Sequence, residues 1–246
     1  MSGATLAADI PTIIVPSPYE ATDLVASLEQ RVKKTMEDVI IYSGQLSGKN
    51  VQLAICGMGQ PHSARRIEIV LKAMAPCPSP APIWLAGFGG GLDPALKRND
   101  MVYLAETEAA QTPILAAMKT IPARRIEKIY TSDVVVETPA QKVAAWEKTG
   151  APIVDMETGP FLELAKQHGR TAAVIRVISD DAEEEFPSEL LGFGYDFAAG
   201  KGTPVRMAWR LATHPSDIGK LKRFLAPMPA ARARLTDFVK ETLKAL

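Results

Sequence analysis

AGFGGGLDPALKRNDMVYLAE, residues 86–106, puts glycine at positions 87, 89, 90 and 91. The stretch follows the apolar run IWL (83–85) and ends in another, MVYLA (101–105). Glycine loses more chain entropy on folding than any other residue, so a cluster this dense implies that something approaches the backbone closely. A dinucleotide-binding fingerprint would require a helix to open directly after the glycines. Here LDP and NDMVYLA lead instead into a second strand, which argues against a dehydrogenase. The phosphate-binding pattern GxxxxGK[ST] does not occur in the chain.

The same alternation runs outward in both directions. Short apolar runs read as strands at 12–15, 39–44, 51–57, 83–87, 100–105, 153–156 and 172–179. Helical spacing lies between them, at 19–34 (Leu24, Val25, Leu28, Val32), 61–74, 139–148 and 159–168. Strands rich in Ile and Val that alternate with helices predict an α/β fold, with a mixed, mostly parallel sheet covered on both faces. The proline-rich segment 75–82 reads as a helix-to-strand connection. Residues 187–246 read as a C-terminal helical extension, with a loop at 192–202, the segment MAWRLATHP and a final helix at 230–246. It is expected to pack on the core, making 1–246 one domain.

Composition narrows the function classes. The 246 residues carry 28 basic and 28 acidic side chains, so no net field points to nucleic acid or an anionic membrane. The basic cluster Arg124, Arg125, Lys128 reads as a solvated face. Cys56 and Cys77 lie in no metal-ligand spacing and are expected to be free thiols in a reducing compartment. No apolar run approaches a membrane span, and the N-terminus lacks a basic region ahead of an apolar one. A cytoplasmic protein without metal or cofactor is expected.

In open α/β sheets, ligands sit at the carboxyl ends of strands. Polar or glycine-rich clusters fall at such ends here: PSPYE, GMGQPHS, GFGGG, DMET and SDD.

These residues also carry a family resemblance. In order along the chain, IYSGQLSGKNVQLAICGMGQPHSA, IWLAGFGGGLDPALKRNDMVYLAE, TSDVVV, APIVDMETG and VIRVISDDAEEE resemble the nucleoside phosphorylase and nucleosidase superfamily, in particular its methylthioadenosine/S-adenosylhomocysteine nucleosidases. The resemblance covers about residues 12 to 185. It implies a three-layer α/β/α sandwich, cleavage of the N-glycosidic bond of a purine nucleoside, and a homo-oligomer, with a dimer favoured.

The resemblance also implies roles for individual residues. Asp180 matches the acid that protonates the departing purine, and Ser179 beside it would help bind the base. The neighbouring Asp181, Glu183, Glu184 and Glu185 would raise its pKa by like-charge repulsion. Read from the residues alone, Ser179 and Asp180 fit a helix N-terminus equally well. Glu157 matches the carboxylate that binds the ribose hydroxyls, and Met156 the methionine under the sugar. The helix start read at Thr158, Gly159 and Pro160 would keep Glu157 ionised. Glu20, 21 residues before Ile41, matches the base that activates water. As a plain reading, it is a first-turn helix carboxylate with no partner.

Gly87, Gly89, Gly90 and Gly91 would present bare backbone to base and sugar. Phe88 would form an apolar wall, and Val135 and Val136 would meet the purine through their main chain. Phosphorolysis needs an anion cradle, yet a basic side chain and a hydroxyl used by phosphorylases are replaced here by Leu85 and Phe88. Backbone amides near Gly57, Gly59 and Ser63 could still hold an anion. Water is therefore favoured over phosphate as nucleophile. The tail FPSELLGFGYDF…RMAWRLATHPSDIGKLKRFL resembles a hopanoid-associated phosphorylase branch, which implies a lipid-linked adenosine as a possible substrate. Trp209, Leu211, Leu221, Phe224 and Leu225 would then line an apolar cleft, or else simply cover a sheet face. A non-catalytic relative that binds nucleoside or lipid stands as the second class.

Overall fold

In the sequence TIIV at 12–15, no residue is polar on an outward face except Thr12, and the computed structural model buries all four. It describes residues 5–59, 62–196 and 201–246. β1 (Thr12–Val15) runs parallel to β4 (Lys49–Ile55) on one side and to β5 (Ile83–Gly91) on the other. β5 in turn runs parallel to β10 (Ala172–Asp180), which pairs antiparallel with β6 (Met101–Ala105). Central parallel strands covered on both faces have no outward polar side, which explains their unbroken apolar runs.

Antiparallel β2 (Glu29–Met36) and β3 (Val39–Leu46) complete one edge, and the two-residue β7 (Arg124–Arg125) the other. β8 (Tyr130–Thr131) and β9 (Ile153–Asp155) attach to the sheet where β9 pairs with Gly90 and Gly91 of β5. The sheet order is β2-β3-β4-β1-β5-β10-β6-β7.

Helices cover both faces. Ile13, Trp84, Ala86, Ile175 and Val177 face a cluster shared with α1 (Pro18–Ala26), α3 (Glu108–Ala117) and α9 (Met228–Lys244). Ile14, Ile83, Leu85, Val174 and Ile178 face α2 (His62–Lys72) and α5 (Thr158–Gln167). The remaining helices are α4 (Pro139–Thr149), α6 (Ser188–Gly194), α7 (Pro204–Thr213) and α8 (Ser216–Leu225). No helix of the described residues is long and apolar enough to cross a membrane.

Two expectations need correction. The helical reading of 19–34 is too long: α1 ends at Ala26, and residues 29–36 form β2. Leu24 and Leu28 are buried as expected, but EQRVKKTM is an exposed edge strand bonded on one side only, so it lacks the apolar alternation that marks a strand. The glycines of GFGGG are not a loop past the strand end. β5 continues through Gly91 because β10 and β9 both bond to it there. The final helix packs on the core as expected. Leu235, Phe238, Val239 and Leu243 of α9 are fully buried within one of the two main clusters.

Candidate active site

PSPYE begins a helix. Ser17 is the N-cap of α1, Pro18 takes the first helical position, and Glu20 falls in the first turn. Serine at the cap and proline next to it both favour helix initiation. The Ser17 hydroxyl accepts from the Glu20 N–H at 3.2 Å and donates to Glu20 Oε2 at 2.5 Å. The other oxygen, Oε1, accepts from the Phe88 N–H at 2.7 Å. Glu20 is thus buried and held at both oxygens, not the unpartnered carboxylate of the plain reading. Burial raises its pKa, against the opposing pull of Ser17, Phe88 and Arg176.

Arg176, in the middle of β10, is the centre of this group. It is fully buried, its Nε and Nη2 donate to Asp155 Oδ2 at 2.9 and 2.6 Å, and Nη2 lies 3.5 Å from Glu157 Oε2. Asp155 is fixed in turn by the N–H and hydroxyl of Thr158. Nη1 of Arg176 has no hydrogen-bond partner among the described residues. It and Glu20 Oε1 both lie within 2.7 Å of the point where a Cβ on Gly87 would sit.

The cluster of glycines in the opening stretch is therefore explained at Gly87 by the protein's own charged side chains, which occupy the space over its Cα. The space at Gly89 is taken by Ile153 and Val154, and that at Gly91 by the Asp180–Asp181 backbone. These three do not offer bare backbone to a ligand. Gly90 is no more open: a Cβ there would meet Val154 Cγ1 at 3.1 Å and the Asp180 carboxylate at 3.4 Å.

Glu157 sits at the N-cap of α5, where the sequence reading put a helix start. Its Oε1 accepts from the Gly59 N–H at 2.9 Å. Gly57 and Gly59 have φ of 82° and 74°, the left-handed region that suits glycine. Of the expected anion cradle, the buried Ser63 hydroxyl has no hydrogen-bond partner among the described residues. Arg66 packs over Gly57, and the Gly59 amide already serves Glu157. Glu157 also departs from the expectation that it stays ionised: burial, with Asp155 adding to it, raises its pKa to about 7 despite Arg176. Met156 is partly buried, and its methyl lies 3.4 Å from the Cβ position of Gly59. The buried Cys56 thiol next to this group is pushed well above its ordinary value by burial and by Glu157.

Asp180 ends β10 and is no helix cap. A bulge between Ile178 and Asp180 shifts the register, so that Asp180 pairs with Gly90. The Ser179 hydroxyl lies 2.5 Å from Asp180 Oδ1 and 3.2 Å from the Gly89 carbonyl. Oδ2 accepts from Lys142 Nζ at 2.5 Å. Burial raises the Asp180 pKa, opposed by Lys142, Ser179 and Arg98. The expected cause, repulsion from its acidic neighbours, is not the operative one. Glu184 bonds to Arg98 at 2.8 Å, and Asp181 and Glu183 each lie 4.0 Å from Lys97.

Glu20, Glu157 and Asp180 are thus set around the final residues of β5, the first two beside Gly87 through Arg176 and the third beside Gly90. Three residues of strand separate these points by roughly 10 Å. The Phe88 ring does not divide them. It packs with the α1/α9 cluster and meets Tyr19 edge-on at 6.3 Å between centroids.

Val136 joins Leu92, Ala145 and Val154 in a small apolar cluster next to Gly90, while Val135 is more exposed. Both border a groove of about 250 Å³ with Tyr130, Ser132 and Gln141. The five apolar tail residues do not line one cleft. Phe224 is buried under Phe186, 5.1 Å away, and beneath Arg98, whereas Trp209 is 65% exposed.

Four residues escape the sequence reading: Ser17, Lys142, Asp155 and Arg176. An arginine inside VIRVIS and an aspartate inside IVDM are signals in themselves, since a charge in a buried strand demands a partner.

The description of one protein family, the phosphorylase superfamily, matches residues 12–112 and 103–199. A 5′-methylthioadenosine/S-adenosylhomocysteine nucleosidase from Anoxybacillus flavithermus is 26% identical over 205 residues, covering 70% of this chain and 86% of that protein. Among solved structures, the Neisseria meningitidis 5′-methylthioadenosine/S-adenosylhomocysteine nucleosidase in complex with methylthio-immucillin-A superposes with a TM-score of 0.71 at 17% identity, covering 97% of this chain and 100% of that one. The futalosine hydrolase of Helicobacter pylori superposes with a TM-score of 0.68 at 16% identity, covering 97% and 99%. At such identities the likeness establishes the shared fold.

Proposed function

The chain belongs to the phosphorylase superfamily, and we propose that it is an enzyme that cleaves the N-glycosidic bond of an adenosine-type nucleoside, with water as the nucleophile. The observation that carries this reading is the charge balance at Arg176: one guanidinium faces Asp155, Glu157 and Glu20. Cleavage of C1′–N9 leaves positive charge on the ribose, and an excess of buried carboxylate stabilises it. The same excess repels a phosphate anion, and the Gly59 amide is already bonded to Glu157.

The roles follow from position. Asp180 protonates the purine, at N7, as the bond pair moves into the base. Glu157 accepts hydrogen bonds from the ribose diol. Glu20 would take the proton of the water as it attacks C1′. Ser179, Gly90, Val135 and Val136 flank the base. The relatives act, by their names, on 5′-methylthioadenosine, S-adenosylhomocysteine and futalosine, so 5′-methylthioadenosine is the first substrate to try.

The test is release of free adenine from 5′-methylthioadenosine in phosphate-free buffer. Release at an unchanged rate on adding phosphate is the expected result. A strict requirement for phosphate, with a sugar 1-phosphate formed, would replace hydrolysis by phosphorolysis. No base release from any adenosine derivative under either condition would favour a binding protein.

A further inference from the structure

Lys142 has no solvent exposure, and its ammonium is saturated. Its Nζ lies 2.5 Å from Asp180 Oδ2, 2.6 Å from the Asp181 carbonyl and 2.7 Å from the Glu184 carbonyl. An ammonium has three donors, and all three are used. Lys142 therefore has none left for a ligand. It is carried on α4, whose start is fixed by a reciprocal capping box between Thr138 and Gln141. The other groups facing Asp180 are accounted for. Ser179 from β10 donates to Oδ1, and Arg98 from the β5–β6 connection contributes positive charge but is bonded to Glu184. Asp181 and Glu183 turn toward Lys97. Lys142 is thus the one cation in direct contact with the carboxylate among the described residues.

We propose that Lys142 is a positioning residue for the proton transfer: it orients the Asp180 carboxyl and stabilises the carboxylate left behind when the purine takes its proton. The inference rests on the acid role given to Asp180 above. During cleavage the C1′–N9 electron pair passes to the base, and the Asp180 proton moves to N7. The resulting carboxylate remains paired with the Lys142 ammonium until solvent reprotonates it. Without that cation, a carboxyl so deeply buried would hold its proton too firmly to give it up.

The experiment compares Lys142→Met, Lys142→Gln and Lys142→Arg with the unaltered chain, reading kcat and KM for adenine release across pH. In the two neutral variants kcat is expected to fall about 10- to 100-fold with KM within about threefold. The alkaline limb of kcat against pH is expected to move up by about one unit or more, because a positive neighbour has been removed. Lys142→Arg restores the limb to its original place. In an Asp180→Asn background, Lys142→Met adds less than about threefold, since the two act as one unit.

An unmoved limb in whichever neutral variant folds, or an undiminished loss in the Asp180→Asn background, overturns the role of Lys142 and leaves it as packing. Absence of base release by the unaltered chain instead removes the functional reading itself, so the two failures are distinguishable.

Discussion

Two buried cations set along the same part of the sheet face opposite arithmetic. Arg176 is shared by three carboxylates, and Lys142 is matched to one. The surroundings of Arg176 are therefore negative in excess when its neighbours are ionised, whereas the Lys142–Asp180 pair is balanced. Buried charge is tolerated only where it is paired and hydrogen-bonded. The unbalanced end is thus the costly one, and it is where a ribose cation would form. The balanced end is where a proton would be handed over and a neutral base would leave. Burial raises the carboxyl pKa in both places, with a base and a sugar clamp proposed on one side and an acid on the other.

The sharpest way to break this contrast is to remove the acid. Asp180→Asn keeps size and one acceptor but cannot donate a carboxyl proton. Base release should fall about 10³-fold, in the range for loss of a general acid. A loss smaller than tenfold would mean that the purine is protonated from elsewhere. On the opposite side, Glu20→Gln should lower kcat about 10²-fold, and added phosphate should not restore it. Recovery with phosphate would show that the negative end accommodates an anion after all.

The glycines separate the two ends more finely. A Cβ on Gly87 would lie 2.5 Å from Arg176 Nη1, 2.7 Å from Glu20 Oε1 and 2.9 Å from Pro16 Cδ. All three are closer than real contacts allow, and the two charged groups are held by bonds of their own. Gly87→Ala is expected to destabilise the fold by about 3 kcal/mol and to lower activity with it, whereas Gly90→Ala, with a nearest contact of 3.1 Å, should lose about 1 kcal/mol. Equal melting temperatures for the two variants would show that the charged group around Gly87 yields easily.

How much of this could be read from the chain depends on whether a residue advertises its surroundings. β1, β5 and β10 are legible because strands covered on both faces must be apolar throughout. β2 is not, because an edge strand exposed on both faces carries no such demand, and Leu24, Val25, Leu28 and Val32 happen to fall at helical spacing. Asp180, Glu157 and Glu20 are legible as candidates only through the family resemblance that their motifs carry. Arg176 and Asp155 could have been found as charges embedded in apolar runs. Lys142 could not, since AQKVAAWEK reads as any amphipathic helix with a solvated lysine. Only the tertiary structure reveals that this side chain turns inward. The GFGGG cluster shows the converse limit. Its composition correctly signals a close approach to the backbone, but not that Arg176 and Glu20 make it.

The effect read against pH concerns Glu157, where the excess of negative charge acts on stability. A carboxyl held at about 7 in the fold, against 4.5 as its ordinary value, binds its proton more tightly in the folded chain than in the unfolded one. Its contribution to stability is therefore complete below about pH 4.5 and is lost as pH rises through 7. Glu157→Gln resembles the protonated form and does not titrate. Relative to that variant, the unaltered chain should lose on the order of 2 kcal/mol between pH 5 and pH 8, measurable as diverging melting temperatures. Glu20 and Asp180 titrate in both proteins and largely cancel in the difference. Activity should run the other way, because the ribose diol needs the ionised acceptor: kcat/KM for the unaltered chain should rise with pH through about 7. Parallel melting curves would show that Arg176 neutralises Glu157 fully. The negative excess would then be smaller than three carboxylates around one guanidinium imply, and with it would go the case against phosphate.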